Sequence, residues 1–343
     1  MKKLLNTVYV TTAGAWLAKE NETMVVRQDE EILGRVPLHA IGSVVCFGNV
    51  SCSPWLMEAC CSKGIAISWF TATGKFLARV EGRASGNILL RRQQYRNCDD
   101  ADFSMQVTRH IVAAKLANSR NILQRALRDH SETMDADAVR NAVSRLKSTI
   151  RRTLLAEDIY VIRGLEGEGA REYFAVFDEL ITVRDEVFRF EKRTRRPPMN
   201  NINCLLSFVY TLLVHDCRSA VEAVGLDSQA GYLHRDRPGR PSLALDIMEE
   251  FRAPLADRLV CSLINRQQIG GSDFHKSLSG GVQMKDTARK TLLTAWQLRK
   301  QDEIQHPFLN EKVPIGVCFH LQAQLFARYT RGELDAYPAF LWK

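Results

Sequence analysis

EGRASGN, residues 81–87, marks a change of period in the chain. Its small, polar and glycine residues have the composition of a connector. Before it, NTVYVTT (6–12), TMVVRQ (23–28), LGRVPL (33–38) and GSVVCFG (42–48) are short, rich in β-branched residues and bounded by turn formers, the pattern of strands. SPWLMEACCSKG (53–64) interrupts them with one short helix, Ser53 as its N-cap and Gly64 as its stop. IAISWF, ATG and KFLARV (65–80) then read as strand, turn and strand. After residue 87 the apolar spacing becomes helical. Helices are expected over about 100–130, 136–153, 157–182, 200–224, 243–267, 286–303 and 313–330. Two stretches resist that reading: EKRTRRPPMNN (191–201), broken by Pro197 and Pro198, and LDSQAGYLHRDRPGRP (226–241). The expected organisation is α+β and multidomain: a β-rich domain over 1–84, a linker over 85–99 and a helical domain over 100–343.

The chain has 343 residues and a net charge of +8, which admits a polyanion as partner. Residues 1–90 hold 9 Lys and Arg against 7 Asp and Glu, and the rest hold 38 against 32, so most of the surplus lies in the helical part. Nine cysteines without a CxxC pair argue against a zinc knuckle and against a disulfide scaffold. Most sit in apolar runs, as small buried hydrophobes in a reducing cytoplasm. The run after Lys2 and Lys3 is too short and too broken for a signal peptide. CLLSFVYTLLV (204–214) is too short to span a bilayer and reads as a core helix, so no membrane is expected.

Three blocks carry chemistry. In GYLHRDRPGRPSLALDIMEEF (231–251) an arginine-laden loop holds His234 and runs into a helix with Asp246, Glu249 and Glu250. Ala244, Met248, Phe251, Leu255, Leu259 and Leu263 form its apolar stripe, and Pro254 inside the stripe predicts a kink or break. The three acids lie together on the other side, where like charges repel unless a cation sits between them. Carboxylate oxygens with one imidazole suit Mn²⁺ or Mg²⁺. The alternative is a solvated acidic face paired with Arg252 and Arg235. The second block, RGLEGEGAREYF (163–174), sets Glu166 among glycines that permit close approach. It reads equally as a loosened helix start with Glu166 and Glu168 at the positive dipole end. The third, FEKRTRRPPMNNINCLLSFVYTLL (190–213), offers Lys192, Arg193, Arg195 and Arg196 ahead of a rigid Pro-Pro, suited to phosphates or to plain solvation.

In chain order and spacing, RGLEGEGAREYF (163–174), RRPPMNNINCLLSFVY (195–210) and GYLHRDRPGRPSLALDIMEEFRAPLADRLV (231–260) resemble the signatures of the CRISPR-associated protein one family, the metal-dependent integrases that insert new spacers. The start, KKLLNTVYVTT, and the end, LDAYPAFLW, look like the subtype of type I-C systems. The resemblance covers nearly the whole chain. It implies an N-terminal β-sandwich-like domain followed by an all-α catalytic domain, and a homodimer. It also implies double-stranded DNA as fragment and repeat, and a small CRISPR adaptation partner protein bridging two dimers. Carried over, the ligands of Mg²⁺ or Mn²⁺ are Glu166, His234 and Glu249. Many relatives have Asp at the position of Glu249. Asp246 becomes a supporting acid behind the ligands, and Glu250 faces solvent or an arginine. Arg193, Arg195, Arg196, Arg235, Arg237 and Arg240 are the candidate DNA-backbone contacts. MNNIN (199–203), where relatives often have Asp-Pro, touches local DNA positioning rather than the ligands. Two other readings fit the same residues: a structure-specific DNA-repair nuclease, and a non-catalytic nucleic-acid scaffold.

Overall fold

The computed structural model describes residues 6–82, 88–195, 197–277 and 280–342. The change of period at 81–87 falls mostly outside them, as does Arg196. The chain forms two compact units, one of residues up to 85 together with Leu293–Asp302 and one of the remainder.

In the first unit, β1 (Thr7–Val10), β2 (Trp16–Glu20), β3 (Thr23–Gln28), β4 (Glu31–Pro37), β5 (Ser43–Phe47), β6 (Ser51–Cys52), α1 (Pro54–Ser62), β7 (Ala66–Phe70) and β8 (Phe76–Arg79) make two four-stranded sheets. One has the order β1-β5-β7-β8, the other β4-β3-β2-β6. β5 and β7 pair in parallel, Val44 opposite Ile67. A parallel pair needs a crossover, and α1 supplies it. Ser53 caps α1 as expected, accepting from the Leu56 amide at 3.3 Å. Leu17 and Met24 from one sheet, Val44, Cys46 and Ile67 from the other, and Leu56 and Cys60 from α1 share one buried core. This is the expected sandwich-like arrangement.

The second unit is helical apart from two short hairpins, Phe274–Lys276 with Val282–Met284 and Glu303–Gln305 with Lys312–Pro314. The segment 88–99, whose polar composition suggests a connector, is helix α2 (Ile88–Asp99). The Gln94 amide of α2 donates to the carbonyls of Asp227 and Ala230 at 2.8 and 3.0 Å, anchoring it. Then come α3 (Ala101–His130), α4 (Ala136–Leu155), α5 (Ile159–Ala175), α6 (Asn201–Ala223), α7 (Ser242–Glu249), α8 (Arg258–Asn265), α9 (Asp286–Gln301) and α10 (Ile315–Thr330). From Leu293 onward α9 belongs to the first unit. Asp100, Asp135 and Asp158 cap α3, α4 and α5 with their side chains. By length and composition α6 could cross a membrane. Here its Leu205, Leu206, Val209, Leu212 and Leu213 are buried within the protein.

Between α7 and α8 the chain makes a π-helical stretch, Arg252–Asp257, at Pro254. Proline has no N–H for the Glu250 carbonyl four residues back. The Asn118 amide of α3 takes that carbonyl at 2.7 Å instead. The break expected from Pro254 is therefore a stitched junction between α3 and α7. All nine cysteines are free.

Candidate metal and DNA site

Four segments build the site. α5 runs unbroken through Gly164, Gly167 and Gly169, so Glu166 sits well inside the helix and not at a loosened start. A Cβ on Gly169 would lie 2.3 Å from the Leu116 side chain of α3. Glycine there lets α3 and α5 approach, which brings Lys115 of α3 beside Glu166. The Lys115 ammonium bonds Glu166 Oε1 and reaches Glu249 Oε2 of α7 at 2.7 Å. Two carboxylates from different helices thus converge on one cation that is 8% exposed.

His234 is fixed from both sides of its loop. The buried Asp246 carboxylate accepts from the Tyr232, Leu233 and His234 amides at 2.6, 3.1 and 3.0 Å, and meets His234 Nδ1 at 2.7 Å. With Nδ1 so engaged, Nε2 is the ring nitrogen that remains as a candidate ligand. Arg163 of α5 donates to the carbonyls of Leu233 and Tyr232 at 2.8 and 3.0 Å. Gly231 closes the loop onto α7, since a Cβ there would lie 2.7 Å from the Ser242 backbone carbonyl carbon.

Glu249 is 5% exposed. Burial alone would raise its pKa, but Arg252, Lys115 and His234 outweigh burial and hold the carboxyl well below the usual range. Arg252 Nη1 donates to both Glu249 oxygens at 3.0 and 3.1 Å. Its guanidinium lies 4.4 Å from the Tyr210 ring centre, and Tyr210 donates to buried Asp257 at 2.5 Å. Glu249 is therefore a fixed anion.

The acids of α7 do not share one solvated face. Asp246 holds the histidine loop and Glu249 faces Lys115. Glu250, expected to face solvent or an arginine, is fully buried on another side. It accepts from Tyr337 Oη at 2.7 Å, Phe340 N at 2.6 Å and Gln322 Nε2 at 2.9 Å. Successive residues of a helix point about 100° apart, which separates Glu249 from Glu250.

The basic run divides as well. Arg193 donates to the Thr194 carbonyl, Asn203 Oδ1 and Ser207 Oγ at 2.5, 2.8 and 3.0 Å, and stands 5.3 Å over the Tyr210 ring. Its guanidinium holds the loop to α6, so Arg193 is engaged within the protein. Asn200 caps α6, and buried Asn203 donates to the Lys192 carbonyl at 2.8 Å, so MNNIN is a scaffold for the run. Arg195, Arg235 and Arg237 are exposed and Arg240 is half-buried. Arg235 lies 5.1 Å from the Tyr160 ring centre.

Sequence reading missed Lys115, Arg163 and Asn118. For Lys115 a signal existed: Thr108, Ile111, Val112, Lys115, Ser119 and Ile122 form one helical stripe, all of them buried. A lysine in such a stripe has a buried partner to find.

Among the described residues no group of three or more His, Cys, Asp or Glu is already spaced to hold a metal. The position between Glu166 and Glu249 is taken by the Lys115 ammonium. The donor set nonetheless fits a hard divalent ion: two carboxylates already drawn to one positive charge, and an imidazole whose Nδ1 is tied back. Asp246→Asn places an N–H₂ group against a shell made wholly of donors. If the site holds a divalent ion, this variant is expected to lower the ion-dependent activity by ~10–100-fold, with a lower melting temperature, measured by side-by-side turnover and thermal melts.

The helical unit thus sets two carboxylates and an ammonium together, with an imidazole held by a third carboxylate. Residues 8–298 match the family model for CRISPR associated protein Cas1, and the chain belongs to that family. It is 54% identical over the full length of both chains to the CRISPR-associated endonuclease Cas1 1 of Chlorobaculum tepidum. The structure is similar to a Cas1 protein from Thermotoga maritima, with a TM-score of 0.81, 25% identity, and 97% of this chain and 99% of that one covered. It also shares its fold with a chain of a Cas6-RT-Cas1–Cas2 complex, with a TM-score of 0.82, 23% identity, and 100% of this chain and 37% of that one covered.

Proposed function

We propose that this protein is a metal-dependent DNA integrase and endonuclease that inserts short DNA fragments into a CRISPR repeat array. The observation that carries the reading is the convergence of Glu166 and Glu249 on one buried cation, beside a histidine held by Asp246. Glu166, Glu249 and His234 Nε2 would hold Mg²⁺ or Mn²⁺. When bound, such an ion supplies activation of a 3′-hydroxyl and charge stabilisation at the attacked phosphate. The chain's own part is positioning. Asp246 and Arg163 fix the imidazole, Arg252 keeps Glu249 ionised, and Arg195, Arg235, Arg237 and Arg240 bind backbone phosphates, with Arg196 beside them in sequence. Neither sign of charge suffices: arginines alone would bind DNA without cutting or joining it, and acids alone would repel it.

The same reading gives the β-rich first unit the homodimer contact and the helical second unit, α2 included, the chemistry. A small adaptation protein joins two dimers, a proposal to which the Cas1–Cas2 assembly of the structural relative lends support. The terminal stretches favour the type I-C subtype, and the free cysteines favour the cytoplasm.

The experiment uses a labelled duplex and a supercoiled plasmid carrying the repeat. With a 3′-OH duplex the label should appear on the plasmid as a joined branch, and with a 3′-deoxy duplex it should not. Free cut ends without any branch would favour the repair-nuclease reading, and no product in either case would favour a scaffold. For the arginines, a combined Arg235→Gln, Arg237→Gln and Arg240→Gln variant should bind unrelated duplexes equally more weakly. Its salt slope should fall by about 0.9 for each phosphate that is no longer neutralised. An unchanged slope in a folded variant would return these residues to solvent.

A further inference from the structure

Lys115 is a charged residue in a stripe of apolar and small side chains on α3. Burying an ammonium is unfavourable unless it is paired and hydrogen-bonded, and here both partners are residues proposed as metal ligands. Without a cation between them, Glu166 and Glu249 would repel each other. Arg252 cannot serve both, because it engages Glu249 alone among the two. The lysine stem is flexible, so its head can leave while the helix stays in place.

We propose that Lys115 is a resident counter-cation: it keeps Glu166 and Glu249 assembled in the metal-free protein, and a divalent ion binds by displacing its ammonium. This rests on the metal reading above and goes beyond it. The ligands are then never an empty, self-repelling cage, and metal affinity is set by a competition inside the protein. The charge-assisted bonds of Lys115 oppose metal entry, so the unmodified site binds its ion more weakly than its three ligands would allow. A lysine that merely supported the ligands would have the opposite effect, because its loss would loosen the site and weaken binding.

The test is a calorimetric Mn²⁺ titration of the full chain as wild type, Lys115→Met and Glu166→Gln, each with a thermal melt. Methionine keeps the stem's volume and removes the charge. Lys115→Met should bind Mn²⁺ about tenfold more tightly or better, corresponding to removal of a charge-assisted competitor. It should melt lower than wild type without metal and recover more on adding Mn²⁺. Glu166→Gln should lose the binding. Equal or weaker Mn²⁺ affinity in Lys115→Met, with wild-type binding abolished in Glu166→Gln, would overturn the counter-cation role and leave the metal site standing. Absence of Mn²⁺ binding in all three proteins would overturn both. Should Lys115→Met fail to fold, the wild type decides the matter. Lys115 should resist acetylation by dilute acetic anhydride without metal and become reactive with Mn²⁺, as read by peptide mass mapping. Protection that persists with Mn²⁺ bound would overturn the proposal.

Discussion

Glu249→Ala is expected to abolish strand transfer and to destabilise the protein at the same time. The side chain is the partner of two buried cations, Lys115 and Arg252. Removing one member of a buried ion pair strands the other in a poorly solvated place, which costs roughly 3–5 kcal/mol. Glu166→Ala should match it in lost strand transfer and fall short of it in lost stability. Glu166 is 28% exposed, and its removal still leaves Lys115 bound to Glu249. Parallel strand-transfer assays, duplex-binding titrations and urea melts separate the two effects. Duplex binding should survive in both variants, since the proposed phosphate contacts lie on the loops. Full activity of either variant at saturating metal would remove that residue from the ligand set.

Glu250→Ala, next in sequence, should leave catalysis untouched as chemistry and damage the fold. It would strand two buried donors, Tyr337 Oη and Phe340 N, while Gln322 Nε2 keeps the Pro338 carbonyl at 3.1 Å. Unsatisfied buried groups cost ~1–3 kcal/mol each, so a loss of roughly 2 kcal/mol or more is expected, with segment 337–342 opened to protease. Burial raises the Glu250 carboxyl from 4.5 to about 7, against the lowering effect of its three donors. Between those values the folded protein holds a proton that the unfolded chain has lost. This contribution is complete below pH 4.5 and falls away as pH rises toward 7. Its full size is roughly 3 kcal/mol. Glu250→Gln mimics the protonated acid, so its stability should decline less than wild type over that window. Urea melts at both ends of the window measure the difference. Identical pH slopes for the two proteins would show that Glu250 is ionised throughout.

The parts of the fold that could be read from sequence were those with a single dominant period or a stereochemical stop. Ser53 announced α1, and Pro254 announced the break after α7. WLAKE, which forms β2, is made largely of good helix formers. Its strand is fixed by pairing with β3 across a turn in which Asn21 adopts a φ of 51°. α2 is polar enough to pass for a connector, and its bonds to residues 227, 230 and 330 reveal an anchored helix.

At the candidate site, Glu166, His234 and Glu249 were singled out through the family resemblance. Their partners were not, because buried and solvated charges look alike in a string of residues. Glu250 stands one residue from Glu249 and points into the C-terminal segment. Arg193 sits among phosphate-binding candidates and is an anchor. Lys115 lies 51 residues from Glu166, and what joins them is the helix crossing at Gly169 and Leu116.

The most direct test of the proposed metal site is a crystal of the full chain soaked in Mn²⁺, with diffraction collected at the manganese edge. The expected result is an anomalous peak bonded by Glu166, Glu249 and His234 Nε2, with the Lys115 ammonium moved away from both carboxylates. A peak bound by other residues, or none at saturating Mn²⁺ with Lys115 still bridging Glu166 and Glu249, would contradict the assignment of these three side chains as the metal ligands.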